Sequence, residues 1–142
     1  MKKAALTIMF LLVSIGLFSQ NRRTVIDFGL NNDNFYGIGL MDRLTDNMYV
    51  GVEYTWNNIQ KKNNLLGMVG WGNSNMVIMG KMGESYTNLT GTKYWTDGSV
   101  IRKFDYGVEC LWILDYESYS TLAYGISYNK SCGVQLKFGL AF

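Results

Sequence analysis

The residues with which this chain could do chemistry are few, and their types exclude more than they permit. There is no histidine, which removes the usual general base, His-based triads and His-ligated metal sites. Of the two cysteines, Cys110 falls on the apolar face of its segment and Cys132 opens another without a base beside it, so neither has the surroundings that activate a thiol. Glu53 and Glu109 could form an acid/base pair, but two acids on the same face of a sheet would look the same without any catalysis. Asn88-Leu89-Thr90 matches a glycosylation sequon at chance level, and Gly37-Ile38-Gly39 is no phosphate loop because no helix follows it. The sequence therefore predicts a non-enzyme, with no catalytic residue, cofactor or metal. A formal charge of +2 is too small to point to nucleic acid or an acidic partner.

Six ionisable residues fall within the alternating segments on the side opposite the apolar face: Asp27, Glu53, Lys81, Asp105, Glu109 and Lys137. Their positions matter because the surrounding segments alternate with period two, the signature of strands with one apolar face. In the last eleven residues Val134, Leu136, Phe138, Leu140 and Phe142 alternate with Gly133, Gln135, Lys137, Gly139 and Ala141. Met48, Val50, Val52, Tyr54 and Trp56 alternate with Tyr49, Gly51, Glu53, Thr55 and Asn57 in the same way. The split recurs around Phe28, Ile38, Val108 and Leu122, giving six segments with one logic. Two more, 64–72 and 75–82, are strand-like in composition, but their faces are ambiguous. Clusters rich in Asn, Asp, Gly and Ser separate the segments and supply turn chemistry. The count is eight strands. A Thr96-Asp97-Gly98-Ser99 hairpin signal within 83–103 leaves ten open.

The first residues read as an export signal: Lys2-Lys3, an apolar run from Ala4 to Phe18, then Ser19-Gln20. A run of about 15 apolar residues is shorter than the roughly 20 needed to span a bilayer as a helix. The expected organisation is a cleaved signal at 1–19 and one domain at 20–142, with a long loop at 83–103. Cys110 and Cys132 could pair in an oxidising compartment, but they fall on strands that are not neighbours, and two free thiols are expected.

The non-apolar face carries mostly glycine and alanine with sparse charges. That is an unusual water-exposed surface but a suitable lining for a narrow barrel, which at eight strands is just wide enough to be filled by side chains. Segments of about ten residues with apolar-out alternation match tilted membrane strands. With the N-terminus on the periplasmic side, Tyr36, Trp56, Tyr106 and Tyr128 fall near the outer interface, and Trp112 and Phe142 near the inner one, as aromatic girdles do. The predicted fold is an all-β, antiparallel, up-and-down transmembrane β-barrel.

The signal, the alternating strands and a closing strand Val134-Gln-Leu-Lys-Phe-Gly-Leu-Ala-Phe142 that ends on an aromatic resemble the small eight-stranded outer-membrane β-barrel proteins of Gram-negative bacteria. The resemblance is architectural and spans residues 20–142, with no family-specific motif. It implies residence in outer-membrane lipid and a C-terminal strand like the signal read by the barrel-assembly machinery. Function does not follow from fold.

Turned inward, the six charges must pair to be tolerable. Asp27 is expected to meet Lys137 where first and last strands close, and Lys81 to lie near Asp105. Such a network would plug the lumen; a gated, narrow channel for small solutes is the alternative. The long loop carries Tyr86, Lys93, Tyr94, Trp95 and Arg102, candidates for contact with a protein or glycan. A structural or surface-interaction role follows. A soluble secreted barrel binding an apolar ligand is the rival from another class, and it would require the glycine-rich face to be outside.

Overall fold

A computed structural model describes residues 24–73, 75–88, 100–114 and 120–142. Within them lie eight strands: β1 Thr24–Leu30, β2 Tyr36–Arg43, β3 Met48–Asn57, β4 Lys62–Gly72, β5 Met76–Asn88, β6 Val100–Ile113, β7 Thr121–Asn129 and β8 Gly133–Ala141. Each pairs antiparallel with the next, and β8 pairs with β1, so the sheet closes on itself. Closure removes the unpaired edges that an open sheet would expose to lipid.

The strands form where aromatic and β-branched residues alternate with small ones, and burial follows the same period. In β8, Gln135, Lys137, Gly139 and Ala141 are buried, and Val134, Leu136, Phe138 and Leu140 are exposed. The alternation holds in β1, β3 and β7 as well. The outer wall is thus a band of exposed Phe, Leu, Val, Ile, Tyr and Trp, with Trp71 at 67% and Phe104 at 65%. A continuous apolar band is foreign to a wet surface and belongs in hydrocarbon.

The two ends differ. One carries both ends of the barrel, tied by mutual hydrogen bonds between Thr24 and Phe142 at 2.9 and 3.0 Å, together with the turn at 44–47 and residues Asn73, Asn75 and Leu114. The other carries the hairpin turns at 31–35, 58–61 and 130–132, with Asn34, Lys61 and Gly133 at positive φ. Gly133, at φ 75°, needs the freedom of a residue without Cβ.

The segment expected to be a loop at 83–103 is strand at both ends. β5 runs on to Asn88 and β6 begins at Val100, joined by continuous pairing from Gly83↔Asp105 to Asn88↔Val100. Tyr86, Thr87, Val100 and Ile101 are strand-forming residues, and a partner within the same hairpin satisfies their backbone groups. The hairpin projects past its other neighbour, because β6 pairs with β7 only from Gly107 to Ile113. Residues 89–99, including Lys93, Tyr94, Trp95 and the Asp-Gly signal, lie outside the described residues, as does the proposed signal at 1–19.

Candidate functional site

The inward side chains are arranged in three layers, each set by where its strand positions fall along the axis. At the end that carries the termini the filling is apolar: Val25, Met41, Tyr49, Met68, Val77, Met79, Leu111, Ile113, Ala123 and Ala141 form one buried cluster. Every strand contributes. Gly51, Gly70, Gly72 and Gly125 lie against it with almost no space for a Cβ; at Gly70 that atom would be 2.4 Å from the Met79 sulfur. Glycine on one strand is thereby matched to a large side chain on the next, which is how a narrow barrel accommodates Tyr and Met.

The middle layer is ionic. Lys137 Nζ donates to Asp27 Oδ1 at 2.7 Å and to Glu53 Oε2 at 2.8 Å, and lies 3.3 Å from Glu109 Oε2. Lys81 Nζ donates to both Glu53 Oε2 and Glu109 Oε2. The two lysines thus bridge the same two glutamates, and Asn129 Nδ2 donates to Glu53 Oε1 at 2.9 Å. All five charged side chains are fully buried. Asp27 Oδ2 and Glu109 Oε1 have no hydrogen-bond donor among the described residues. Opposite charges at these distances, shielded from water, interact far more strongly than at a surface, and that attraction offsets part of the cost of desolvation.

The Lys81–Asp105 pairing expected from sequence does not form. In the ladder Lys81 stands opposite Gly107, whereas Asp105 stands opposite Gly83, nearer the hairpin turns. There Asp105 accepts from the backbone N–H of Ser131 at 3.1 Å and from its hydroxyl.

That contact belongs to the third layer, a polar cap made by the β7–β8 turn reaching across the mouth. Asn31 Nδ2 donates to the Cys132 carbonyl at 2.5 Å, and Lys62 Nζ to the Ser131 carbonyl at 2.8 Å. Asn64 Nδ2 lies 2.6 Å from both Thr55 Oγ1 and the buried Cys132 Sγ. Phe35 is tucked in beside the cap, with Lys62 Nζ 5.7 Å from its ring centre. Cys132 sits in the turn one residue ahead of β8, and Cys110 is on the outer face; both thiols are free.

The outer face holds the aromatics. Tyr36 and Trp56 are opposite one another on β2 and β3, rings 6.1 Å apart, with Tyr54 stacked 5.9 Å from Trp56. At the other end Trp112 stacks on Tyr124 at 5.8 Å, and Phe142 is exposed. Tyr106 and Tyr128 are exposed too. Of the loop candidates, Tyr86 and Arg102 are opposite each other in the β5–β6 ladder, the guanidinium 5.6 Å from the ring centre.

Sequence reasoning missed most of the apolar layer and the cap. The signal was present but self-concealing: the ambiguous segments 64–72 and 75–82 are those in which Leu66, Met68, Val77 and Met79 point in while Leu65, Val69, Trp71 and Ile78 point out. Apolar residues on both faces erase the contrast that period two depends on. Among the described residues no group of three or more acidic or cysteine side chains is placed to hold a metal ion.

A closed, antiparallel eight-stranded barrel with an apolar outer wall defines the class: an outer-membrane-type transmembrane β-barrel. Among solved structures the chain resembles the N-terminal β-barrel domain of Pseudomonas aeruginosa OprF, at 12% identity, covering 85% of this chain and 95% of that one, with a TM-score of 0.52. It also resembles a barrel from the de novo design of transmembrane β-barrels (21% identity, 85% and 92% covered, TM-score 0.48) and the designed TMB2.3 (19% identity, 87% and 97% covered, TM-score 0.49). No family model and no curated protein matches the sequence. The likeness to OprF is one of fold.

Proposed function

We propose that this chain is an exported, non-enzymatic outer-membrane barrel with a closed lumen, whose role is structural or is exerted through the surface its hairpins present. The observation that carries this reading is the stacking of two different obstructions along one narrow axis. A solute entering past the Ser131–Asp105 contact would meet the lysine–glutamate network, and beyond it a layer with Tyr49, Met41, Met79 and Leu111 side by side. An ion leaving the charged layer would have to enter an apolar one, where desolvation is opposed by no partner. The residues 1–19 supply export, and the closing strand ending at Phe142 supplies recognition by the barrel-assembly machinery. The projecting β5–β6 hairpin is the contact element for a protein or glycan.

The test is to express the chain with residues 1–19, isolate outer membranes, and compare gel mobility with and without boiling in detergent, then reconstitute the protein in liposomes. Membrane residence, a heat-dependent shift and no ion conductance are the expected results. Steady conductance from the folded species would replace the closed barrel with a narrow channel. Soluble protein with no shift would reverse the assignment of the two faces.

A further inference from the structure

Two cations at the hairpin end are held on the outer face, where a barrel wall is otherwise apolar. Arg102 of β6 lies over Tyr86, its guanidinium carbon 5.6 Å from the ring centre. Lys130, in the β7–β8 turn, lies over Tyr106 with Nζ 5.3 Å from that ring, and its backbone N–H donates to the Tyr106 carbonyl at 2.9 Å. Between them Phe104 is 65% and Tyr106 48% exposed, with rings 6.2 Å apart. Among the described residues no carboxylate forms an ion pair with either cation. Glu84, the one acid on this face of the hairpin among the described residues, accepts a 2.5 Å hydrogen bond from the Tyr86 hydroxyl.

The wider charge distribution has the same sense. Among the described residues, Lys61, Arg102, Lys103 and Lys130 at the hairpin end outnumber the exposed acids Asp33 and Glu84, whereas the other end has Asp42 and Asp46 against Arg43. Cations stacked on aromatics at the boundary of the apolar band suit a ligand that is apolar on one side and anionic at its head.

We infer that Arg102, Lys130 and the aromatic shelf of Phe104 and Tyr106 form a binding site for the phosphate of an anionic membrane lipid. The acyl chains would lie along Phe104 and Tyr106, and the phosphorylated headgroup would lie against the cations held over Tyr86 and Tyr106. This rests on the barrel being embedded in a membrane, and the experiment separates the two.

The protein is folded into phosphatidylcholine nanodiscs and titrated with lipid A, beside an Arg102→Gln/Lys130→Gln variant and the charge-keeping Arg102→Lys/Lys130→Arg variant. Losing two interfacial cations should weaken lipid A binding roughly 10- to 30-fold. The charge-keeping variant should stay within a few-fold of the parent, and inorganic phosphate should not compete. Equal binding by the glutamine variant overturns the site, as does a glutamine-level loss in the charge-keeping variant. Displacement by inorganic phosphate overturns its assignment to a lipid. The heat-dependent gel shift in phosphatidylcholine alone reports the barrel independently: its presence with equal lipid binding rejects only the site, and its absence in the unmodified protein rejects both.

Discussion

Lys137 of β8 reaches Asp27 of β1 diagonally across the seam that closes the barrel, 2.7 Å from Nζ to Oδ1. Directly opposite Lys137 is Gly29, and the lysine stem lies over it: a Cβ there would be 3.0 Å from Lys137 Cε. Asp27 is flanked in register by Gly39 and Gly139. The pair therefore exists because three neighbouring positions have no side chain to occupy its space.

Lys137→Ala leaves Asp27 without its cationic partner, and leaves Glu53 and Glu109 with the single ammonium of Lys81. Removing one partner of a buried ion pair costs about 3–5 kcal/mol, chiefly through the charge left uncompensated. Urea unfolding in lipid vesicles, followed by tryptophan fluorescence, should show a loss of that order without conductance. A variant that stays fully stable, or that conducts ions, would remove the network from its proposed role as a plug.

Gly39→Ala places a Cβ 2.2 Å from Asp27 Oδ2. The carboxylate must move away from Lys137, so the substitution should destabilise by about 1–3 kcal/mol. In an Asp27→Ser background the same change should cost much less, because the obstructing group is shorter. Equal costs in the two backgrounds would show that Gly39 is needed for another reason.

Leu136→Arg tests the outer face. Leu136 lies midway along β8, 51% exposed and opposite Leu30 and Ile126. Arginine at the bilayer midplane of such a barrel costs about 2–4 kcal/mol, whereas on a wet face it would change little. Vesicle unfolding midpoints decide between the two environments.

Leu111→Ala opens a cavity in the apolar layer and should lower stability by about 2–5 kcal/mol. Single-channel recordings of the same variant should remain silent, because Tyr49, Met41 and Met79 still fill that level. Conductance on removal of this one side chain would mean that the apolar layer is thinner than its packing implies.

Thiol labelling reads the cap. Cys132 is enclosed by Asn64, Thr55 and Ser131, so a water-soluble maleimide should label it only after unfolding. Cys110, half-exposed on the outer face, should react in the folded protein with a lipid-soluble reagent. Rapid labelling of folded Cys132 from water would show an open mouth.

What the sequence by itself determined is the class of the molecule. Period-two alternation in the segments around Phe28, Ile38, Val52, Val108, Leu122 and Leu136 is local information, because a strand's face is decided by parity along the chain. Turn-rich clusters divide it into eight strands, and the absence of histidine limits the chemistry. Parity also assigns Asp27, Glu53, Lys81, Asp105, Glu109 and Lys137 to one side. It cannot say how far along the axis each residue stands, which depends on the stagger between strands. Tertiary structure alone decided that Lys81 joins Glu53 and Glu109 rather than Asp105, that the β7–β8 turn folds over the mouth to meet Asp105 and Asn64, and that inward Met, Tyr and Leu gather at one end. Those are relations between residues as far apart as Asp27 and Lys137, and closure of the barrel brings them within hydrogen-bonding reach.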